Sequence, residues 1–286
     1  MPYTTLIDTP TLESLLGDPA VAIVDCRFRL DDPSWGEDQY AAAHVPGAAY
    51  AHLDRDLSST PTGRNGRHPL PSPEVLAATL GRLGIGSGTQ VVAYDQDNGA
   101  WASRLWWLLR WMGHDLAAVL DGGFAAWQRE ARPTRPGLER APARTFTPRL
   151  RPERLAGLGF VEQVVAGTAR ATLVDARAPE RYRGEIEPID RVGGHVPGAL
   201  NHAFRLNVDE AGRFLPREVL RSQFERTLAG ADPAAPLVVY CGSGVTACQN
   251  LLALEHAGIA GARLYPGSWS EWSSAPERPV ATGDRP

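Results

Sequence analysis

The sequence predicts an α/β protein of two tandem domains, each a parallel sheet flanked by helices. Three observations predict it: the chain length, a set of motifs that occurs twice, and short apolar runs that alternate with helical patterns.

The chain has 286 residues, enough for two domains of about 140 residues, each with its own core. It is 43% hydrophobic and 22% charged, ordinary values for a globular protein. With 29 basic and 33 acidic residues its formal charge is −4, so neither nucleic acid nor an anionic membrane is an expected partner. The start, MPYTTLIDTP, lacks the basic and then apolar pattern of a secretory signal. No apolar run approaches the roughly 20 residues of a membrane-spanning helix. The expected location is therefore the cytoplasm.

The duplication is seen in four pairs of segments. Val24-Asp25-Cys26-Arg27 matches Val174-Asp175-Ala176-Arg177, and His44-Val45-Pro46-Gly47-Ala48 matches His195-Val196-Pro197-Gly198-Ala199. Val91-Val92-Ala93-Tyr94 matches Leu237-Val238-Val239-Tyr240, and the segment from Asp121 to Trp127 resembles that from Pro266 to Trp272. The offsets are 150, 151, 146 and 145, near-constant and in the same order.

Within each half, strands are expected at Val21–Asp25, Gln90–Tyr94 and Ala117–Leu120, then at Thr172–Asp175, Leu237–Tyr240 and Arg263–Tyr265. These are short apolar runs, as strands buried on both faces require. Helical patterns occupy Ser72–Leu83, Ala102–Met112, Arg217–Leu228 and Val245–His256. Such alternation implies parallel sheets, which bind ligands at the carboxyl ends of their strands. The expected domains are residues 1–130 and 155–286, joined by a Pro- and Arg-rich linker over 131–154. The eight arginines between Arg129 and Arg154 are read as those of a stiff linker lying on the protein surface.

The chemistry is expected after the strand Leu237–Tyr240, in Cys241-Gly242-Ser243-Gly244-Val245-Thr246-Ala247-Cys248. A small-residue loop opening a helix turns backbone N–H groups inward, where the helix dipole adds positive charge. That cradle favours an anion and a thiolate. Gly242 and Gly244 permit the curvature and leave room for a substrate. In the duplicate half, Asp95 follows the matched tyrosine, so the framework is repeated and the thiol is not.

The two H-V-P-G-A motifs, the C-G-S-G-V-T-A loop and the terminal G-S-W-S-E-W together resemble the rhodanese-type sulfurtransferases, and within them the 3-mercaptopyruvate sulfurtransferase branch. H-V-P-G-A alone marks the fold, while the loop sorts the branches. The resemblance covers essentially the whole chain. It implies two tandem rhodanese-like domains, the N-terminal one inactive, and a persulfide on Cys241. Thiosulfate-using relatives carry Arg and Lys after the cysteine; here Gly242 and Ser243 are neutral, which suits a donor with a single carboxylate.

The branch also implies a relay of Ser243, His68 and Asp54, the last two in the first half of the chain. Asp54 would orient His68, which would pass a proton to or from Ser243 and the donor. Ser243 would either polarise the donor carbonyl or deprotonate the thiol. Arg67, Arg181 and Arg191 are candidate carboxylate clamps, and Gly242, Gly244, Val245 and Thr246 candidate substrate-binding residues of the loop. Arg191 stands two residues beyond Ile189, where several relatives carry the arginine.

No metal or organic cofactor is implied, and no Cys–His spacing suits structural zinc. The expected partners are a small-molecule sulfur donor and a thiophilic acceptor: a thiol, a thioredoxin-like protein or cyanide. His44 and His195 occur in both halves and are read as bonding within the fold. Cys26 and Cys248 are read as buried. Trp106, Trp107 and Trp111 have the spacing of a packed helix face. A cysteine phosphatase is excluded because Cys-x5-Arg requires arginine at position 247, which is Ala247. The alternatives are a thiosulfate:cyanide sulfurtransferase and, from another class, a catalytically inactive rhodanese-fold binding module.

Overall fold

The computed structural model describes residues 2–286. The chain divides into two compact units. The first gathers residues up to Ser59 with Leu70–Arg151 and Val208–Phe214; the second gathers Thr60–Pro69, Pro152–Asn207 and Leu215–Pro286. Each unit therefore contains a short segment that a simple bisection of the chain would assign to the other half.

The first unit has strands β1 (Leu6–Ile7), β2 (Val21–Asp25), β3 (Ala49–Tyr50), β4 (Gln90–Tyr94) and β5 (Ala117–Leu120). They form one parallel sheet in the order β1-β5-β4-β2-β3. Helices α1 (Thr9–Ser14), α2 (Trp35–Ala42), α3 (Leu53–Asp56), α4 (Pro73–Arg82), α5 (Ala102–Trp111) and α6 (Gly123–Arg129) connect them. Helix α4 starts where the sequence marks it: the Ser72 hydroxyl accepts the Val75 N–H, and proline fills the first helical position.

The second unit has β6 (Thr172–Asp175), β7 (Leu200–Asn201), β8 (Leu237–Tyr240) and β9 (Arg263–Leu264), parallel in the order β7-β6-β8-β9. Its helices are α7 (Leu158–Val165), α8 (Pro179–Tyr182), α9 (Arg217–Thr227), α10 (Ala247–His256) and α11 (Ser268–Trp272). The central strands are buried on both faces, which is why they read as unbroken apolar runs.

The repeated motifs are the residues that build the same polar cluster in each unit. Asp25 takes Arg27 in a buried pair, and the Arg27 guanidinium also donates to Ala43 O at 2.7 Å. Asp175 and Arg177 repeat the pair, with Gly194 O accepting at 2.6 Å. The Tyr94 hydroxyl donates to Asp25 and accepts the Val45 N–H, and the Tyr240 hydroxyl accepts the Val196 N–H. Nδ1 of His44 meets Tyr40 O at 2.7 Å, and Nδ1 of His195 meets Tyr182 O at 2.8 Å. One side chain from each motif thus closes a network that a buried, charged pair needs in order to be tolerated.

Trp106, Trp107 and Trp111 are buried in the first unit, the latter two with stacked rings. The Pro- and Arg-rich stretch up to Arg151 runs along the first unit, where Arg144 N–H donates to Gly81 O and Arg149 N–H to Met112 O. Among the described residues no helix is long and apolar enough to cross a membrane.

Candidate active site

The loop after β8 begins at Cys241, whose side chain is 1% exposed. Helix α10 starts at Ala247, so Val245 and Thr246 belong to the loop, which is two residues longer than the apolar pattern suggests. The loop is pinned from one side by the start of α11. Trp269 N–H donates to Cys241 O and Ser270 N–H to Gly242 O, each at 2.9 Å. Gly244 has φ +74°, and a Cβ there would lie 2.2 Å from Pro266 O, so only glycine lets the loop turn this close to its support.

The loop also carries backbone donors that the protein leaves unused. Among the described residues, the backbone N–H groups of Ser243, Val245, Thr246 and Ala247 meet no protein acceptor. The first unit shows what such N–H groups can hold. There Gly99 has φ +75°, matching Gly244, and α5 starts at Ala102 as α10 starts at Ala247. Asp95 occupies the place of Cys241, and its carboxylate accepts N–H bonds from Asp97, Gly99, Trp101 and Ala102 at 2.8 to 3.2 Å. Burial pushes that carboxyl up to about 6 while the N–H groups pull the other way. The position whose carboxylate fills this cradle in one unit is a cysteine in the other.

Ser243 and His68 meet: Nδ1 of His68 lies 2.7 Å from Ser243 Oγ, and each residue is 6% exposed. Although Arg67 and His68 come from the first half of the chain, their segment Thr60–Pro69 is part of the second unit. It is anchored there by the Arg67 N–H, which donates to Ser270 Oγ at 3.1 Å. Asp54 lies in the first unit, at the start of α3, where its N–H donates to Nδ1 of His52.

Two of the three candidate arginines converge on the loop. A Cβ on Gly242 would lie 2.8 Å from Arg67 Nη2 and 3.6 Å from Arg181 Nη1, so both guanidiniums press on the residue after the cysteine. Arg191 is exposed, and no contact ties it to the loop. The carboxylates that hold the two arginines were not singled out in the sequence. Glu187 takes Arg181 Nε at 3.1 Å and Nη2 at 2.7 Å, and Asp190 takes both Arg181 and Arg67. Burial works against the charge on Glu187, but Arg181 and two backbone N–H groups hold its carboxyl below the usual range. The acidic residues Glu185, Glu187 and Asp190, close after Arg181 and Arg183, were the available signal.

Ser268 was also missed. It is a buried non-glycine residue at φ +55°, where the first unit has Gly123 at φ +56°. Its hydroxyl accepts the Cys241 N–H at 3.1 Å and donates to Tyr265 O at 2.9 Å. A left-handed backbone costs about 1 kcal/mol for a residue with a Cβ, and a buried hydrogen bond is worth about the same. Ser268→Gly is therefore expected to change stability by no more than about 1 kcal/mol while lowering turnover several-fold, because the backbone of Cys241 loses its anchor. Thermal melting beside steady-state kinetics checks this; a large drop in melting temperature would make Ser268 a purely structural residue.

Cys248 and Cys26 are both buried and neither is in a disulfide. Cys248 Sγ donates to Gly244 O at 3.4 Å, as Ser103 Oγ does to Gly99 O at 2.6 Å, so it helps hold the loop. Among the described residues no cluster of three metal-ligating side chains occurs.

Residues 8–130 and 161–275 both match the family model of the rhodanese-like domain. The chain belongs to the rhodanese family. A Pseudomonas aeruginosa protein provisionally named a 3-mercaptopyruvate sulfurtransferase is 47% identical over 281 residues, 98% of each chain. A Mycobacterium tuberculosis protein provisionally named a thiosulfate sulfurtransferase is 42% identical over 269 residues, 93% of this chain and 92% of the relative. The solved 3-mercaptopyruvate sulfurtransferase from Leishmania major superposes with a TM-score of 0.84 at 29% identity, over 97% of this chain and 76% of that one. The protein is thus a rhodanese-type sulfurtransferase, an enzyme rather than an inactive binding module.

Proposed function

We propose that this sulfurtransferase moves the sulfur of 3-mercaptopyruvate through a persulfide on Cys241 to a thiophilic acceptor and releases pyruvate. The observation that carries this reading is the loop whose N–H groups hold the Asp95 carboxylate in the first unit and whose counterpart in the second begins at Cys241. The Cys241 thiolate attacks the donor sulfur, an S–S bond forms, and the donor C–S bond breaks. The electron pair passes to carbon as the enolate of pyruvate, which takes up a proton equal to the one the donor thiol gives up. The persulfide anion then lies against the loop N–H groups, including those of Val245 and Thr246. An acceptor thiol takes the outer sulfur and restores Cys241, so the kinetics are ping-pong.

The hydrogen-bonded pair of His68 and Ser243 supports a proton path to the donor's carbonyl end. Asp54 joins the relay on the family pattern, as the residue that charge-balances His68. Arg67 and Arg181 would take the donor carboxylate beside Gly242. Arg191 would do so only by moving toward the loop. A thiol, a thioredoxin-like protein and cyanide are the acceptor classes this chemistry admits. Three sparse cysteines, none in a disulfide, support a reducing compartment, the cytoplasm.

The second reading, thiosulfate as donor, is favoured by the two guanidiniums over Gly242. The deciding experiment is steady-state sulfur transfer from each donor at matched enzyme and acceptor. A larger kcat/KM for mercaptopyruvate is expected. A larger value for thiosulfate would keep the persulfide and overturn the donor.

A further inference from the structure

Beside the active loop, three guanidiniums and three carboxylates alternate. Arg177 is paired with Asp175 and reaches Glu187 at 3.3 Å; Glu187 holds Arg181; Asp190 lies between Arg181 and Arg67. The formal charges cancel. The carboxylates of this row are nearly dry, with Glu187 and Asp190 each 6% exposed, while Arg181 and Arg67 keep 16% and 28% of their side chains in water. What the row leaves for a ligand is a set of unpaired guanidinium N–H groups, the buried Arg67 Nε among them. Arg67 Nη2 and Arg181 Nη1 have no protein acceptor among the described residues and both press on Gly242.

This arrangement separates two properties of an arginine clamp. The unpaired N–H groups still recognise a carboxylate by shape, since hydrogen-bonding geometry does not depend on the net charge behind it. The long-range attraction for negative charge is largely cancelled by the carboxylates. A donor with one negative charge loses little by that cancellation, whereas a donor with two loses twice as much, because Coulomb energy scales with the ligand's charge. Asp190 is the carboxylate that matters here. It touches both clamp arginines, and its removal would leave the second of them, Arg67, with no anionic partner.

We infer that Asp190 is a specificity-determining residue: by neutralising Arg67 and Arg181 behind the N–H groups they offer at Gly242, it selects a monoanionic α-keto acid thiol over a dianionic inorganic sulfur donor. The inference rests on the proposed donor reading and deepens it. Neutral residues after Cys241 remove positive charge from the loop itself, and Asp190 cancels the charge that the arginines would otherwise restore.

The test is Asp190→Asn, which retains a carbonyl oxygen for the arginines and removes the charge. Persulfide formation on Cys241 is followed with mercaptopyruvate and with thiosulfate, in the wild type and the variant. The expected result is a rise in the thiosulfate-to-mercaptopyruvate ratio of kcat/KM on the order of tenfold. As a second readout, protection of Cys241 against alkylation by sulfate should improve relative to protection by acetate. An equal loss with both donors would make Asp190 a mere support for the arginines and overturn the inference. A wild type that prefers thiosulfate would sink the donor reading whatever the variant does, so the two failures are distinct. Should Asp190→Asn not fold, Asp190→Ser provides the same comparison.

Discussion

Replacing Cys241 with serine abolishes sulfur transfer from either donor and leaves the fold in place. The oxygen of serine cannot hold a transferable sulfur, and removal of a covalent nucleophile lowers turnover by at least about 10⁴-fold. The backbone needs no sulfur: Cys241 is held by its own N–H and C=O, bonded to Ser268 Oγ and Trp269 N–H. Intact mass after exposure to donor without acceptor gives the sharper check. The wild type should gain one sulfur atom and Cys241→Ser none, because burial beside Asp25 and Asp95 pushes the Cys26 thiol well up and the Cys248 thiol is engaged with Gly244 O. Turnover of the variant near the wild-type rate would end the persulfide assignment.

The second large effect is donor-dependent. His68→Ala is expected to lower turnover of mercaptopyruvate by about 10² to 10⁴-fold, the usual worth of a positioned acid–base group. Thiosulfate should suffer much less, because its leaving group, sulfite, departs as a stable anion and needs no proton. The substitution also strips the buried Ser243 hydroxyl of its 2.7 Å partner, at a cost of about 1 to 3 kcal/mol, so melting temperature must be followed alongside. Equal losses with both donors would make His68 a support for the loop rather than a proton carrier.

Much of the fold could be read from the chain. The strands at Val21–Asp25, Gln90–Tyr94, Ala117–Leu120, Thr172–Asp175 and Leu237–Tyr240 lie where the apolar runs lie, since burial on both faces leaves no other composition open to them. The strands that were not legible, Leu6–Ile7, Ala49–Tyr50 and Leu200–Asn201, are two residues long and too short for any period. Helix α10 starts at Ala247 rather than Val245 for a related reason. Val245 is apolar because it is buried, not because it is helical, and the left-handed Gly244 before it delays the first helical turn.

The sequence by itself determined the family and the duplicated α/β plan and pointed to a candidate nucleophile, because all three depend on local spacing: motif order, strand-length apolar runs, and a cysteine between a strand and a helix. Only the tertiary structure decided which distant groups stand beside that cysteine. Arg67 and His68 reach the second unit through a segment from the other half of the chain. Asp190 and Ser268 acquire their meaning only from contacts with Arg67 and Cys241, respectively 123 and 27 residues away. Strand and helix periodicities carry information over a few residues, whereas hydrogen bonds and ion pairs across a folded core join residues at any separation, and no local pattern records them.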